Sequence, residues 1–507
     1  MRRFVGVSTV ALGVAAIAAP AHAEPGGLDP TYGVAGRAVV DASPASALGY
    51  DLAVLPDGST VAVGYLGHSD EDGFAVKIGA SGVVDQAFGL RRLDHDGGSE
   101  WASAVAVQPD GKIVAVGQTS KNNDGAVWRL LPSGAPDLSF SGDGFASVDS
   151  GAFESLYDVA IAPDGKIVVV GKTSVGGGEM AVYRLTPQGE PDPTFDHDGA
   201  IGFGGAGNDS AAAVLLQPDG KIVVTGYDTA SQSLTVRRLT AGGAPDPAFG
   251  VAGTATVPGT FQQGLALALQ PDGRILVAGQ VHSGADYDAV VVRLDPTGGV
   301  DGTFGGPTGF HVGLGGDEAV YAIAVAPDGR VVGSGATSAG ADAFVFRTNA
   351  DGSPDQGLGP GGVLRVNGGP QWLGGATVQP DGRFLAVGDD GASRPRTVVY
   401  RFLAPGAPPT GSVPPICHGR AATIVGTDGN DRIAGTKKAD VIVALGGNDV
   451  VKGLGGDDLI CAGDGHDKVS GGAGKDRLYG ERGKDRLVGG SGKDRLVGGP
   501  DRDSTKQ

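Results

Sequence analysis

The tripeptide Pro-Asp-Gly begins at Pro56, Pro109, Pro163, Pro218, Pro271, Pro327 and Pro380, at spacings of 53 to 56 residues. Each copy is a turn with a mechanism: Pro pre-sets φ at the first turn position, Asp tolerates the second, and Gly supplies φ > 0. The second copy opens the stretch QPDGKIVAVG, Gln108 to Gly117. Its run from Ile113 to Val116 is apolar on both faces, as a strand covered by two layers must be. Seven hairpins at one period make this an internal-repeat chain, restricted to architectures that stack or ring copies of one unit.

From Gly26 onward the unit can be read in phase. An apolar strand enters Pro-Asp-Gly, a second strand leaves it, and a third ends in a basic residue: Lys77, Arg129, Arg184, Arg238, Arg293, Arg347 or Arg401. A Gly-x-x-Asp-x-x-Phe-Gly turn then leads to a fourth, more polar strand. The turn's Asp recurs at Asp29, Asp85, Asp137, Asp192, Asp246, Asp301 and Asp355, and its aromatic at Tyr32, Phe88, Phe140, Phe195, Phe249 and Phe304, with Leu358 the exception. Four short strands per unit describe a propeller blade.

The two ends decide between a ring and an open array. Asp29 arrives before any Pro-Asp-Gly turn, whereas the strand ending at Arg401 is followed by APGAPPTG and no Asp-turn. The N-terminal piece GGLDPTYGVAGRAVVD therefore completes the seventh unit. A closed, all-β, seven-bladed β-propeller latched by its first strand is the expectation, with residues 36–41 paired to residues 397–402 and no exposed sheet edges.

These motifs resemble those of the bacterial delta-60 repeat proteins over roughly residues 26–404. The resemblance implies a secreted propeller and little about its role. Composition agrees: 93 glycines in 507 residues, 6% aromatic and 40% hydrophobic content suit an all-β repeat chain. Residues 416–507 hold 14 acidic and 15 basic side chains, leaving 43 acidic against 24 basic for the rest. An acidic body repels phosphate backbones, so nucleic acid is not an expected partner.

The N-terminus reads as a cleavable export signal over residues 1–23: Arg2 and Arg3, the apolar run Phe4 to Ala19, then Ala21-His22-Ala23. No segment has the length of a membrane span, and the expected location is extracellular. Residues recurring in every unit are expected to be scaffold, the Arg and Asp pairing within each blade. Function on the ring lies in what differs between blades. Trp101 and Trp372 stand eight residues before their Pro-Asp-Gly proline, where other units carry Leu48, Ser155, Ser210, Gln263 and Ala319. The loop from His68 to Gly73 is acidic. Rim packing and a solvated loop are the plain readings, and sugar or peptide binding is the alternative. There is no G-x-S-x-G or H-E-x-x-H motif. Gly171-Lys172-Thr173 lacks the first glycine of a phosphate loop, Lys166 standing there, and Asp196-His197-Asp198-Gly199 reads as a turn.

A Pro-rich linker over residues 404–416 separates residues 24–403 from residues 417–507. Beyond it, aspartates recur every nine residues at Asp431, Asp440, Asp449, Asp458, Asp467, Asp476, Asp485, Asp494 and Asp503. Two places after each sits an apolar residue, Ile433, Ile442, Val451, Ile460, Val469, Leu478, Leu487 and Leu496, failing only at Thr505. This G-G-x-G-x-D-x-U-x pattern resembles the RTX, or hemolysin-type, calcium-binding parallel β-roll. In that reading each nonapeptide is half a coil: a glycine turn, then a short strand whose apolar residue points inward. The Asp carboxylates and the turn carbonyls supply the all-oxygen ligation that Ca2+ prefers.

Same-side turns lie 18 residues apart, so Asp431, Asp449, Asp467, Asp485 and Asp503 form one row and the others a second. Extra oxygen donors stand in the early turns at Asp428, Asn430, Asn448, Asp457 and Asp464. The metal set expected is these five with Asp431, Asp440, Asp449, Asp458, Asp467 and Asp476, plus Gly446 and Gly455. Later, Lys475, Lys484 and Lys493 precede the Asp and Arg477, Arg486 and Arg495 follow it, which opposes a second cation. The turn before Asp440 lacks its central glycine and carries Lys437 and Lys438. A metal-free coil held by Ile, Val and Leu alone is the alternative, but its apolar seam is small.

Cys417 and Cys461 are the two cysteines. In an exported chain they favour a disulfide, worth about 4 kcal/mol for a loop of this length. Their separation spans roughly 12 Å along a stack of ~4.8 Å coils, beyond a disulfide's reach, so Cys417 must fold back as part of a cap. Two functions remain: a secreted, non-enzymatic calcium-binding protein whose propeller is a binding or structural module, with a polysaccharide or cell-surface ligand; or a secreted hydrolase or lyase with its active site in the propeller channel.

Overall fold

Each Pro-Asp-Gly turn closes a hairpin whose glycine lies at φ between 78° (Gly58) and 86° (Gly329). That conformation costs a glycine nothing and a residue with a Cβ a great deal. The computed structural model describes residues 27–43, 45–67, 72–95, 97–121, 123–174, 179–204, 209–229, 233–257, 261–283, 286–337, 342–366, 372–404, 416–418, 420–425, 430–445, 447–499 and 502–506. The signal reading of residues 1–23, the tip of the loop after Gly67, and most of the linker lie outside them.

The hairpins extend into seven antiparallel sheets of four strands. The first blade is Ser46–Val54, Thr60–Gly67, Asp72–Ile78 and Leu90–Leu93. The seventh takes strands from both ends, ordered Arg37–Val40, Thr397–Phe402, Phe384–Asp389, Leu373–Val378. Arg37 pairs with Tyr400 and Val40 with Thr397, so the expected latch forms. The first strands of successive blades pack on one another, and Leu373–Val378 packs on Ser46–Val54 to close the ring. Seven apolar clusters fill the seven seams, each drawing Val, Ile, Leu, Ala or aromatic side chains from two neighbouring blades. This is why the second and third strands carry no polar face.

The recurring Arg and Asp do pair. Arg129 Nε donates to Asp137 at 2.8 Å, Arg184 to Asp192 at 2.7 Å, Arg238 to Asp246 at 2.8 Å, Arg293 to Asp301 at 2.9 Å and Arg347 to Asp355 at 2.8 Å. Each guanidinium also reaches a carbonyl of the next blade: Arg238 that of Pro296 at 2.6 Å, Arg293 that of Ala350 at 3.0 Å. Four of these five lie over their own turn's aromatic, as Arg238 does over Phe249 at 4.4 Å. The pattern survives ring closure: Arg401 Nε donates to Asp29 at 3.0 Å, Nη1 to the Ala80 carbonyl of the first blade at 2.7 Å, and the guanidinium covers Tyr32. The first blade departs from it. Lys77 pairs with Asp57 at 2.9 Å, and Arg91 reaches across to the Ser133 carbonyl at 3.4 Å.

The C-terminal residues form two parallel sheets of five strands. One runs Ile424–Val425, Val441–Val443, Leu459–Asp464, Arg477–Arg482, Arg495–Val497; the other Arg432–Ala434, Val450–Gly455, Lys468–Ala473, Arg486–Ser491, Ser504–Lys506. Each strand pairs with the one 18 residues on, as Ile433 with Val451 and Ile460 with Leu478. Ile442, Val451, Ile460, Val469, Leu478 and Leu487 fill the space between the sheets. The nonapeptide is therefore half a coil. Cys417 and Cys461 are bonded, with Cα atoms 5.8 Å apart. Ile416–Cys417 turns back on Arg420–Ala421 as a two-stranded cap, with His418 stacked on Tyr479 at 3.5 Å.

Asp29 is wholly buried between Arg383, at 2.9 Å, and Arg401. Asp29→Ala leaves both cations without that counter-charge at the latch and should cost about 3–5 kcal/mol in chemical unfolding. Asp57→Ala, which breaks an exposed pair, should cost about 1 kcal/mol or less. Equal losses would mean that the latch does not depend on this charge.

Candidate functional site

The aspartates of the coil are placed by the strand that follows them. The backbone N–H of Asp431 donates to Asp449 Oδ1 at 2.8 Å, Asp449 to Asp467 at 2.8 Å, and Asp467 to Asp485 at 2.9 Å. On the opposite side Asp440 donates to Asp458, Asp458 to Asp476, and Asp476 to Asp494, at 2.9 to 3.0 Å. The two rows expected from the spacing are thus hydrogen-bonded columns, with Oδ1 of every aspartate from Asp449 to Asp494 spent on the coil before it.

The other oxygen is different. At Asp449, Asp458, Asp467 and Asp476, Oδ2 is buried and has no hydrogen-bond partner. Burial raises all four carboxyls, Asp458 to about 6, and the aspartates one coil away raise them further. Four desolvated carboxylates with one unpartnered oxygen each, at Asp449, Asp458, Asp467 and Asp476, suit a divalent cation with a preference for oxygen. A bound Ca2+ supplies the positive charge that these columns lack.

The remaining expected ligands fall elsewhere. Asn430, Asn448 and Asp457 are exposed, and their side-chain oxygens accept the N–H of Asn448 at 2.6 Å, His466 at 2.8 Å and Lys475 at 2.9 Å. They form outer ladders beside the aspartate columns. Asp440 Oδ2 accepts from Thr436 N at 2.6 Å and Oγ1 at 3.0 Å, so the turn without a central glycine satisfies its own carboxylate. Asp431 is half-buried at the first turn and Gly455 ends a strand. Asp428, Gly446 and the Asp464 side chain lie outside the described residues.

Four copies of the RTX calcium-binding nonapeptide repeat match residues 425–460, 435–469, 462–496 and 470–504. The coil is an RTX calcium-binding array. The propeller matches the domain of unknown function (DUF5122) beta-propeller at residues 108–140, 162–195, 217–249, 270–304 and 326–357. No curated protein matches the chain. Among solved structures it is similar to a protein of unknown function from Dyadobacter fermentans, at 16% identity over 72% of this chain and 97% of that one with a TM-score of 0.41. It is also similar to the Kuenenia stuttgartiensis hydrazine synthase, at 15% identity over 69% and 95% with a TM-score of 0.47.

Ahead of the RTX array, the ring has its own asymmetry. Each inner strand bulges six residues before its Pro-Asp-Gly proline, placing Tyr50, Ser103, Tyr157, Ala212, Leu265, Tyr321 and Gly374 out of the ladder. Four consecutive blades, from the sixth round to the second, line a cavity of about 490 Å3 with Tyr321, Gly374, Tyr50 and Ser103, joined by Trp101 and Trp372. Trp372 lies 5.2 Å from Tyr50 and 6.1 Å from Tyr321, centroid to centroid. A Cβ at Gly374 would stand 2.5 Å from the Trp372 ring, so glycine there admits the indole. Both tryptophans line this cavity.

The residue after the bulge is small in five blades and acidic in two, Asp51 and Asp158. These carboxyls accept the N–H of the following blade, Val105 at 2.9 Å and Val214 at 2.8 Å. Water reaches part of each, yet protein surrounds them; burial raises Asp51 to about 6 and Asp158 to about 7, with Asp51 adding to the rise at Asp158. Sequence reading missed both. Aligning the seven units on the Pro-Asp-Gly proline finds them, as the two acids in a column of Ala and Gly.

A carboxyl raised in the folded state stabilises it below its unfolded pKa, and that contribution is lost as pH rises through the folded value. Asp158→Asn keeps an acceptor for Val214 and removes the titration. Its melting temperature should match the parent near pH 4 and exceed it by a few degrees at pH 8. A difference that does not vary with pH would show that Asp158 is not raised.

Proposed function

We propose that the chain is an exported calcium-binding protein in which the RTX array folds on Ca2+ and the propeller binds a polysaccharide or other cell-surface glycan. The observation that supports the first part is the set of buried Asp449, Asp458, Asp467 and Asp476 carboxylates, each with an unpartnered Oδ2. Without a cation these columns crowd like charges in a glycine-rich coil whose apolar seam is one or two side chains per half-coil. Ca2+ neutralises them, so that binding energy becomes folding energy. Asp431, Asp449, Asp458 and Asp467 are the main carboxylate ligands in this reading, with Asp476 at the margin where Lys475 begins the basic run. The Gly446 and Gly455 carbonyls, Asp428 and Asp464 complete the early turns, and Asn430, Asn448 and Asp457 order them from outside. Asp440 is weakened by Thr436. Export rests on the N-terminal signal pattern and fits the disulfide.

The test is hydrogen exchange of the full chain with Ca2+ and after chelation. Residues 430–499 should gain protection with Ca2+. Asp449→Ala with Asp467→Ala should shift the required Ca2+ upward by roughly tenfold or more, and Asp485→Ala with Asp494→Ala by much less, because basic residues already flank the later sites. Equal shifts would overturn the ranking of sites; exchange indifferent to Ca2+ would overturn the folding role.

The glycan reading rests on the aromatic cavity. Its volume suits one or two sugar rings, and Trp372, Tyr50 and Tyr321 offer faces on which the apolar side of a sugar stacks. Screening the full chain on a glycan array should give hits that Trp372→Ala reduces at least severalfold while melting stays near the parent's. Hits unchanged by Trp372→Ala would move the site elsewhere. A hydrolase or lyase in the channel is favoured by one observation, the raised Asp51 and Asp158 carboxyls. Polysaccharide turnover abolished by Asp158→Asn would establish that activity, and binding without turnover would exclude it.

A further inference from the structure

The seams between blades carry carboxylates that neither the RTX array nor the channel uses. Nine residues before the Pro-Asp-Gly proline stand Ala47, Glu100, Glu154, Asp209, Gln262, Glu318 and Gln371. At two successive seams this acid meets two aspartates of the preceding blade. Asp72, Asp94 and Glu100 bring carboxylate oxygens within 4.8 Å of one another, and so do Asp124, Asp149 and Glu154. In each set the first Asp stands at the start of a blade's third strand, the second follows its fourth strand, and the Glu begins the inner strand of the next blade.

The two seams differ at one position of the fourth strand. At the first, Arg92 donates to Asp72. Arg92 lies opposite Phe74 in the sheet; the matching place in the second blade, opposite Ala126, is Ser147. The guanidinium of the first seam therefore has no counterpart at that register of the second.

Glu154 carries the argument further. It is wholly buried, and its Oε1 accepts from Ser150 Oγ and from Thr173 Oγ1 at 3.1 Å. Its Oε2 is buried with no hydrogen-bond partner. The Glu154 carboxyl is raised by burial and then by Asp149 and Asp124. A buried carboxylate oxygen left unpaired among like charges is a standing cost unless a cation is meant to be there. A cavity of about 380 Å3 lined by Asn123, Asp124, Asp149, Gly151, Ala152 and Phe153 is bordered by two of the three carboxyls and has room for water.

We propose that Asp124, Asp149 and Glu154 form a Ca2+ site that clamps the second blade to the third, separate from the RTX array. Three oxygens evenly spaced about one ion at about 2.4 Å, the Ca–O distance, lie about 4.2 Å apart, so a set within 4.8 Å closes on Ca2+ with a small side-chain shift, whereas Mg2+ at about 2.1 Å demands a tighter set. Two of the ligands belong to one blade and the third to its neighbour, so the ion ties the two blades together.

The test is hydrogen exchange of the full chain titrated with CaCl2 after chelation, following residues 123–128 and 145–156. Protection there should rise with Ca2+ in the parent and persist in Asp449→Ala with Asp467→Ala, which weakens only the RTX array. Glu154→Gln should need roughly tenfold or more Ca2+ for the same protection. Asp149→Asn should behave alike, and because Asp149 is exposed its fold is safe if Glu154→Gln misfolds. No Ca2+ response at these segments in the parent, a response lost with the RTX double variant, or an unshifted midpoint in Asp149→Asn would each overturn the site.

Discussion

A guanidinium buried between two blades is the contact on which the ring depends. Arg238 is tied to Asp246 in its own turn, lies over Phe249, and donates to the Pro296 carbonyl of the next blade. One side chain thus fixes the turn that ends a blade and the angle at which the neighbour docks. The charge is affordable because it is paired and hydrogen-bonded on every side that the structure offers. Repetition makes the arrangement circular: Arg401 closes it with Asp29 and Ala80, residues separated from it by more than 300 positions. The latch is one more copy of the seam, with the chain break moved from between blades to within one.

The RTX array solves the same problem with anions. Asp449, Asp458, Asp467 and Asp476 each give one oxygen to the coil before them and withhold the other, so cohesion along the stack comes with an unmet demand for positive charge. Two blade seams gather three carboxylates each, and at the first Arg92 pairs with one of them. Calcium in this protein is thus a matter of which carboxylates the fold leaves unbalanced, rather than of how many the sequence contains.

Asymmetry in the ring comes from bulges. A bulge turns a residue out of the ladder in every blade, and what stands there is aromatic in three blades and Ser, Ala, Leu or Gly in the others. Two of the tyrosines, Tyr50 and Tyr321, flank the glycine blade that admits Trp372, and a cavity results on one side of the ring. Tyr157 has no such neighbours. Identity at the bulge matters less than which blades are adjacent.

Much of this was legible in the chain itself. The Pro-Asp-Gly period dictates seven hairpins because only glycine takes the turn's last place cheaply, and the displaced Asp29 dictates the closure. The nonapeptide period dictates two aspartate rows and an inward column of Ile, Val and Leu, since side chains 18 residues apart must stack in a coil. The reach of a disulfide forces Cys417 to fold back. The tertiary structure decided what depends on neighbours distant in sequence. It spent Asn430, Asn448 and Asp457 on outer ladders, satisfied Asp440 with Thr436, and left Oδ2 of Asp449 and Asp467 unpartnered. It brought Trp101 and Trp372 from opposite ends of the chain to one cavity, and set Glu154 against Asp124 and Asp149. Periodicity fixes which residues are equivalent; only packing determines which of the equivalents lack a partner.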